Sequence, residues 1–404
     1  MDSRKKDPRK IIDCLFAMSF LLFLLLSFSF VFLRNQTGYS YYENRNLARL
    51  PDMTIEGMLD GSDFSAVETC LADHAPGRDT ALKLRTLMDL YLWRRPVVND
   101  TVVLRDEHIL LPYTQYEYEA SSTNQNMIDS KAEAMANTLS SHKALTESYG
   151  GYFCYMAVPC QYVCYEDAYP SYLNSRHTFT ERSTTALFSR LDAMDVPYID
   201  MRTVYNADGT LKKYSSTIDN HYSIQGAFSA YQALIEKINK DTDLSLDMPT
   251  AEDHVWEEIP NKYLGSRLRK LCGLWESDEH LWKVTPKDQI PYTFRIGEYV
   301  VDSMYTLPSD PWQEILYTAY MCGDLSESVV ETERENLPRV LIYGDSFTNA
   351  LECVLWESFD DMYSYDFRHY NSETVEEVIA RLKPDVVVCV RDYEQLLSGA
   401  ANGQ

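Results

Sequence analysis

Five largely apolar runs, each about as long as a β-strand, constrain the fold more than any other feature of this sequence. They lie at 152–158, 196–200, 339–343, 362–366 and 385–390. Such runs are typical of strands that are buried on both faces of a sheet. Helical periodicity lies between or after them, at about 180–194, 223–240, 346–359 and 373–383. This alternation predicts an α/β fold with a mostly parallel sheet flanked by helices.

The domain built on this sheet is predicted to cover residues 96–404. Within it, residues 241–335 fit the alternation least well, because they are rich in Trp, Pro and acidic side chains. The sequence therefore predicts an irregular insertion there. Residues 34–95 begin as a polar, turn-rich stretch and become helical in periodicity from about residue 64. They are predicted to form a juxtamembrane stalk and an N-terminal helical region.

The amino-terminal segment has the charge pattern of a signal anchor. Residues 1–10 carry a net charge of +3, residues 34–404 carry −26, and an uncharged run of 20 residues separates them. A helix of that length spans the bilayer core of about 30 Å. By the positive-inside rule, the sequence predicts a cytoplasmic tip at 1–10, a single transmembrane helix at 11–33 and an extracytoplasmic remainder. A cleaved signal peptide, which typically has a shorter apolar run, is the alternative.

The overall composition excludes several classes of protein. With 61 acidic and 37 basic residues, the formal net charge is −24, which excludes general nucleic-acid binding because such a chain repels phosphate. No glycine-rich phosphate loop, zinc motif or dinucleotide fingerprint occurs, so the sequence predicts neither a cofactor nor a metal. Nine scattered cysteines favour buried free thiols, with one or two disulfides as the alternative.

A serine stands at the end of one predicted strand. The strand at 339–343 leads into Gly344-Asp345-Ser346, and a helical pattern begins directly afterwards. The carboxyl ends of strands in open α/β sheets are where ligands bind, and N–H groups at a helix start can stabilise an oxyanion. Ser346 is therefore a candidate nucleophile. The alternative is that it only caps the helix.

A serine nucleophile needs a base, and the base needs an acid that orients it. Asp219 precedes His221 by two residues, and residues i and i+2 of an extended chain project to the same side. Asp219 could therefore hold one imidazole nitrogen and leave the other for Ser346. Ser223 is predicted to cap the following helix. An incidental histidine in a surface loop is the alternative.

Several motifs in order along the chain resemble those of the DHHW family and, more distantly, the AlgX/AlgJ-type proteins of alginate O-acetylation. The motifs are Glu43-Asn44-Arg45, Asp73-His74-Ala75-Pro76-Gly77-Arg78-Asp79, Asp219-Asn220-His221-Tyr222, Gly344-Asp345-Ser346-Phe347 and Asp366-Phe367-Arg368. The resemblance implies an SGNH-hydrolase-like domain with a Ser–His–Asp triad at Ser346, His221 and Asp219. It also implies O-acetyl transfer, or ester hydrolysis, on a cell-envelope or exported glycan, with a membrane-bound O-acyltransferase as the partner that supplies acetyl groups.

Two further residues and one rival function complete these expectations. Arg368 is a candidate substrate or oxyanion contact, with pairing to a structural carboxylate as its alternative. Asn349, one helical turn beyond Ser346, could donate a hydrogen bond near the site, or lie on the helix surface. Tyr222 replaces the Trp of the family motif. This departure motivates the alternative function, a catalytically inactive envelope scaffold or glycan-binding protein.

Overall fold

The structure is a computed structural model that describes residues 8–33, 38–113, 124–173 and 177–399. Residues 1–7, which are most of the predicted cytoplasmic tip, lie outside the described residues. The chain divides into two compact units. The first comprises Met1–Asn99 and Arg269–Trp275, and the second comprises Asp100–Leu268 and Glu276–Gln404.

The first unit is mainly helical. Its elements in chain order are α1 (Pro8–Leu33), β1 (Tyr39–Ser40), β2 (Arg45–Asn46), α2 (Ile55–Asp60), α3 (Ser62–Asp73), α4 (Arg78–Leu87), a π-helical turn (Met88–Leu92) and β3 (Val97–Val98). Strands β1 and β2 pair antiparallel. The predicted transmembrane segment falls within α1. Among the residues that the structure describes, no helix meets the length and apolarity needed to cross a membrane.

The early motif residues of the first unit form a network of ion pairs. The guanidinium of Arg45 donates to both carboxylate oxygens of Asp73, at 2.6 and 2.7 Å, and the N–H of Ala48 donates to the same carboxylate at 2.8 Å. Arg78 pairs with Glu43. The hydrogen bonds from Arg45 lower the pKa of Asp73 to about 2, although burial acts in the opposite direction. These motif residues therefore hold the segment around Arg45 against the end of α3.

Replacing Asp73 by Asn is expected to destabilise the protein by about 1 to 2 kcal/mol near neutral pH. The carboxylate has a lowered pKa in the folded state, so its stabilising contribution is full above the unfolded pKa of about 3.9 and is lost as the pH falls towards 2. Urea unfolding of the full-length protein at several pH values measures this. The difference in the free energy of unfolding between wild type and Asp73→Asn should become smaller below pH 4. Asp79→Asn, at a side chain that is 75% exposed, is the control; a difference that stays constant down to pH 2 would contradict the pairing.

The second unit contains the sheet and most of the helices. Its strands are β4 (Thr101–Leu104), β5 (Ile109–Pro112), β6 (Tyr152–Val158), β7 (Tyr198–Asp200), β8 (His254–Glu258), β9 (Trp282–Pro286), β10 (Thr293–Ile296), β11 (Tyr299–Val301), β12 (Glu327–Glu331), β13 (Val340–Gly344), β14 (Asp361–Tyr365) and β15 (Val386–Asp392). Its α-helices are α5 (Gln125–Glu147), α6 (Gln161–Cys164), α7 (His177–Ala193), α8 (Met201–Ala207), α9 (Ile224–Asp241), α10 (Ser266–Lys270, which runs into the first unit), α11 (Thr348–Leu355) and α12 (Val375–Leu382). Short 3-10 turns lie at Glu166–Ala168, Leu211–Tyr214, Ala251–Asp253, Tyr317–Ala319 and Trp356–Ser358.

An eight-stranded mixed sheet forms the centre of this unit, in the order β11-β10-β12-β14-β13-β15-β6-β7. The five strands from β14 to β7 are parallel to one another, and they are the five apolar runs of the sequence. Strands β13 and β15 are buried along their whole length. The α/β prediction with a parallel sheet is confirmed for this part, while β12, β10 and β11 extend it antiparallel.

The prediction of an irregular insertion at 241–335 is wrong in one respect. This range supplies β10, β11 and β12 to the main sheet, and β8 and β9 pair as a separate antiparallel ribbon. The strands are three to five residues long, and β12 alternates between buried and half-buried positions. Alternating strands at the side of a sheet lack the continuous apolar run that marks a central strand, which is why the sequence pattern missed them.

Seven of the nine cysteines are buried, whereas Cys14 is exposed and Cys322 is half-buried. In the second unit, Cys154 and Cys164 are buried. Burial raises the pKa of each of these two thiols to about 12. The nucleophilic thiolate is therefore scarce at neutral pH, and neither thiol has the properties of a reactive cysteine.

Strand β13 approaches β15 closely at its carboxyl end. A Cβ atom placed on Gly344 would lie 2.3 Å from the backbone carbonyl oxygen of Val390 in β15. No side chain fits at that distance without moving one of the two strands. Gly344 thus fixes where β13 ends and where the following residues leave the sheet.

Gly344→Ala is expected to lower the free energy of unfolding by about 2 kcal/mol, because the added methyl group overpacks two central strands. Urea unfolding of the full-length protein, with wild type measured beside it, gives this value. An unchanged midpoint and slope would show that the strands do not approach each other so closely.

Candidate active site

Ser346 lies in a tight turn between β13 and α11. The carboxylate of Asp345 accepts a hydrogen bond from the N–H of Phe347 at 3.0 Å, and the carbonyl of Asp345 accepts one from the N–H of Thr348 at 2.9 Å. Asp345 and Phe347 are buried, whereas Ser346 is partly exposed. The turn therefore presents the hydroxyl of Ser346 at the carboxyl end of a central strand. The N–H groups of Phe347 and Thr348 are already engaged within the turn, so they are not free for the oxyanion role that the sequence suggested for the helix start.

The structure brings together the three residues of the predicted triad. The Oγ of Ser346 lies 2.8 Å from Nε2 of His221, and Nδ1 of His221 lies 2.5 Å from Oδ1 of Asp219. The side chain of His221 is 12% exposed and that of Asp219 is 2% exposed. A hydrogen-bonded path thus runs from a buried carboxylate through an imidazole to a partly exposed hydroxyl. Ser223 caps α9 directly after this segment, accepting from the N–H of Gly226, as predicted.

Asp219 remains ionised in spite of its burial. Burial acts to raise its pKa, but the charge of His221 and the hydrogen bonds from His221 and from the N–H of Ser266 outweigh burial and hold the pKa below its usual range. The second carboxylate oxygen accepts that N–H of Ser266. A buried, ionised acid fixes both the tautomer and the orientation of the imidazole.

Gly265 and Ser266 support the acid, and sequence reasoning did not identify them. The hydroxyl of Ser266 donates to the side-chain oxygen of Asn220 at 2.7 Å, and it accepts from the N–H of Asn220 at 3.2 Å. A Cβ on Gly265 would lie 2.5 Å from the carbonyl oxygen of Ile218. The segment at Gly265 therefore packs against the backbone of the Asp219 loop. A single Gly-Ser pair in a sequence carries no signal for such a contact.

Aromatic rings surround the imidazole of His221. The ring of Tyr317 is stacked on it, with centroids 3.7 Å apart and planes at 2°, and Phe347 is tilted against it at 5.1 Å. Tyr222, which replaces the Trp of the family motif, stacks on Phe347 at 5.3 Å. Its hydroxyl donates to the carbonyl of Phe347 at 2.6 Å. Tyr222 thereby holds the residue that follows Ser346, and the phenol keeps a packing role at this position.

Asn349 and Arg368 bind carboxylates. The side-chain amide of Asn349 is buried and donates to Asp324 at 3.1 Å. Arg368 donates to Asp366 at 2.6 Å and to Asp324 at 3.5 Å. This pairing matches the structural alternative that the sequence left open for Arg368. A role for either residue towards substrate or oxyanion stays a prediction.

One group among the described residues has the side-chain types of a metal site. Candidate ligand atoms of Asp324, Asp366 and His369 all lie within 4.8 Å of one another. Arg368 already neutralises part of the charge of the two aspartates. Glu352 lies close by, and its burial raises its pKa to about 7. The cluster is thus part of an ion-pair network beside α11. The carboxyl group of the neighbouring Glu352 is largely protonated below neutral pH.

The family model described as DHHW protein matches residues 43–158. The predicted resemblance to the DHHW family is confirmed. The DHHW match contains the early motifs around Arg45 and Asp73, and it ends before Asp219, His221 and Ser346. The triad therefore rests on geometry and on its own motifs. No curated protein sequence matches the chain.

Solved structures show the same fold. PatB1 of Bacillus cereus, in a structure with a sulfonyl adduct, has a TM-score of 0.60 at 22% identity, covering 74% of this chain and 97% of PatB1. A DHHW family protein of Eubacterium siraeum has a TM-score of 0.57 at 18% identity, covering 76% of this chain and 95% of that protein. The O-acetyltransferase domain of AlgJ from Pseudomonas putida has a TM-score of 0.43 at 16% identity, covering 74% of this chain and 92% of that chain.

Proposed function

We propose that the chain is an SGNH-type serine esterase or O-acetyltransferase that acts through an acyl-serine intermediate. The observation that carries the proposal is the path of hydrogen bonds from Asp219 through His221 to Ser346. Its distances are those that a nucleophile and its base require. The ionised state of Asp219 and the partial exposure of Ser346 support the same assignment.

The reaction follows from the proton path. Nε2 of His221 takes the proton of Ser346 while Oγ attacks the carbonyl carbon of an acetyl ester, and Asp219 stabilises the imidazolium that forms. When the ester C–O bond breaks, the imidazolium returns the proton to the departing alkoxide, leaving acetyl-Ser346. A sugar hydroxyl or water then gives its proton to His221 and attacks the acetyl carbonyl. The imidazolium returns this proton to Oγ as the bond between Oγ and the acetyl carbon breaks, which restores Ser346. The choice between transferase and esterase depends on which of these acceptors reaches the acyl-enzyme.

The substrate that we propose is a neutral or basic glycan of the cell envelope or an exported polysaccharide. The net charge of −26 over residues 34–404 repels an acidic polymer. The basic tip and the apolar run of the sequence motivate a membrane anchor with the catalytic unit outside the cytoplasm, and a membrane-bound O-acyltransferase is the proposed acetyl source.

A covalent probe tests the proposed nucleophile. PatB1 has been solved with a sulfonyl adduct, so we would treat the full-length protein with a sulfonyl fluoride and locate the adduct by mass spectrometry. The expected result is one adduct on Ser346 that forms at least about a hundredfold more slowly in His221→Ala, since the base then no longer activates the hydroxyl. Glycan binding without any adduct at Ser346 would instead support the inactive scaffold that the sequence left as the alternative.

A further inference from the structure

The ring of Tyr317 has an unusual relation to the candidate base. The phenol and the imidazole of His221 lie face to face, with centroids 3.7 Å apart and planes within 2° of parallel. Two neutral aromatic rings prefer an offset or an edge-to-face arrangement with larger centroid separations. A cation over the face of an aromatic ring is attracted by its quadrupole. The geometry thus fits the charged imidazolium better than the neutral imidazole.

The position of Tyr317 is fixed by its surroundings. Its side chain is buried and makes an edge contact with Tyr320 at 5.3 Å. The hydroxyl of Tyr320 donates to the carbonyl of Trp282 at 3.0 Å. Two backbone hydrogen bonds, at 2.8 and 3.0 Å, tie Ile315 to residues 262–264. A rigid support of this kind keeps the phenol ring in place when the charge of its neighbour changes.

The charges around His221 also favour a positively charged imidazole ring next to Tyr317. In the proposed reaction His221 gains a proton when Ser346 attacks, so a positive charge develops between Asp219 and Tyr317. The carboxylate of Asp219 lies at the ring edge through Nδ1, and Tyr317 covers a face of the ring. Burial strengthens both interactions because little water screens them.

We propose that Tyr317 is a positioning residue that stabilises the imidazolium of His221 through its aromatic face and keeps the ring aligned between Asp219 and Ser346. This inference rests on the proposed function. It assigns a role to residues 241–335, the range in which the sequence indicated no chemistry. The phenol hydroxyl is not required for the role, because the attraction comes from the ring.

Two variants separate the ring from the hydroxyl. Tyr317→Leu keeps an apolar side chain but removes the aromatic face, and we expect kcat for an activated acetyl ester to fall by about 3- to 30-fold. Tyr317→Phe keeps the aromatic face and should retain most of the wild-type kcat. The acid limb of the kcat/KM profile, where His221 must lose its proton, should move to lower pH by about 0.5 to 1 unit in Tyr317→Leu only. Tyr299→Leu, at a side chain that is 79% exposed, is the matched control.

A second measurement does not depend on turnover. NMR of labelled histidine in the full-length protein reports the pH at which the His221 ring takes up a proton, and this pH should fall in Tyr317→Leu but not in Tyr317→Phe. Equal values in the two variants would overturn the inference, as would a loss of kcat without any movement of the acid limb. If Ser346→Ala kept full turnover, the proposed function would fail, while the NMR comparison would still decide the role of Tyr317.

Discussion

Ser346→Ala is expected to reduce kcat for an activated acetyl ester by at least about 10⁴-fold, because the acyl-enzyme can no longer form. The hydroxyl lies 2.8 Å from the base and is partly exposed, whereas its neighbours in the turn are buried. Steady-state kinetics of the full-length protein measure the loss. Ser326→Ala, at an exposed serine of the same unit, should keep wild-type kcat.

The pair Ser346 and His221 should behave as one unit. His221→Ala is expected to lower kcat about as far as Ser346→Ala, and the double variant should be hardly slower than either single variant, as is found for residues that act in one step. Losses that multiply in the double variant would mean that the two side chains act independently. Retention of wild-type kcat in Ser346→Ala would refute the assignment of the nucleophile.

Asp219→Asn is expected to lower kcat by about 10⁴-fold while the fold persists, because the amide has the shape of the carboxylate but favours the wrong tautomer of His221. The interactions with His221 and Ser266 hold the pKa of Asp219 below its usual range, so the wild-type carboxylate stays ionised well into acid. The acid limb of the wild-type activity profile therefore reports another group than Asp219. Kinetics across pH, with a thermal melt to verify folding, give the result.

The control for this variant is Asp302→Asn, at an exposed carboxylate of the same unit. It should leave kcat within about twofold of wild type, since surface charge far from a reacting group contributes little. If Asp219→Asn lost no more activity than this control, the carboxylate would have no part in orienting the base, and a different acid would have to be sought near Nδ1.

The parts of the fold that the sequence predicted are those with a local signature. The central strands β6, β13 and β15 have continuous apolar runs because both of their faces are covered, and the Gly344-Asp345-Ser346 turn follows β13, in which every residue is buried. The Asp219 and His221 pair could be predicted because only Asn220 lies between them along the chain. The hydrogen bond between His221 and Ser346 was a hypothesis from chemistry, because these two residues lie 125 positions apart along the chain.

The features of the fold and the site that the sequence did not predict depend on contacts between distant segments. Strands β10 and β12 have mixed side chains because they lie beyond the parallel strands, and their place in the sheet is set by backbone pairing. Ser266 binds Asp219 through its N–H, a group that every residue except proline possesses. Tyr317 is one of 30 tyrosines, and only the folded chain distinguishes it from the rest.

The 125-residue separation of His221 and Ser346 also governs when activity can appear. Contacts between distant segments carry a large loop-closure entropy and tend to form late, after local helices and hairpins. A chain made from its amino terminus contains the base and its acid well before the nucleophile has been added. The proposed esterase activity would therefore report the completion of folding, and a chain that ends before Ser346 would leave acetyl esters intact.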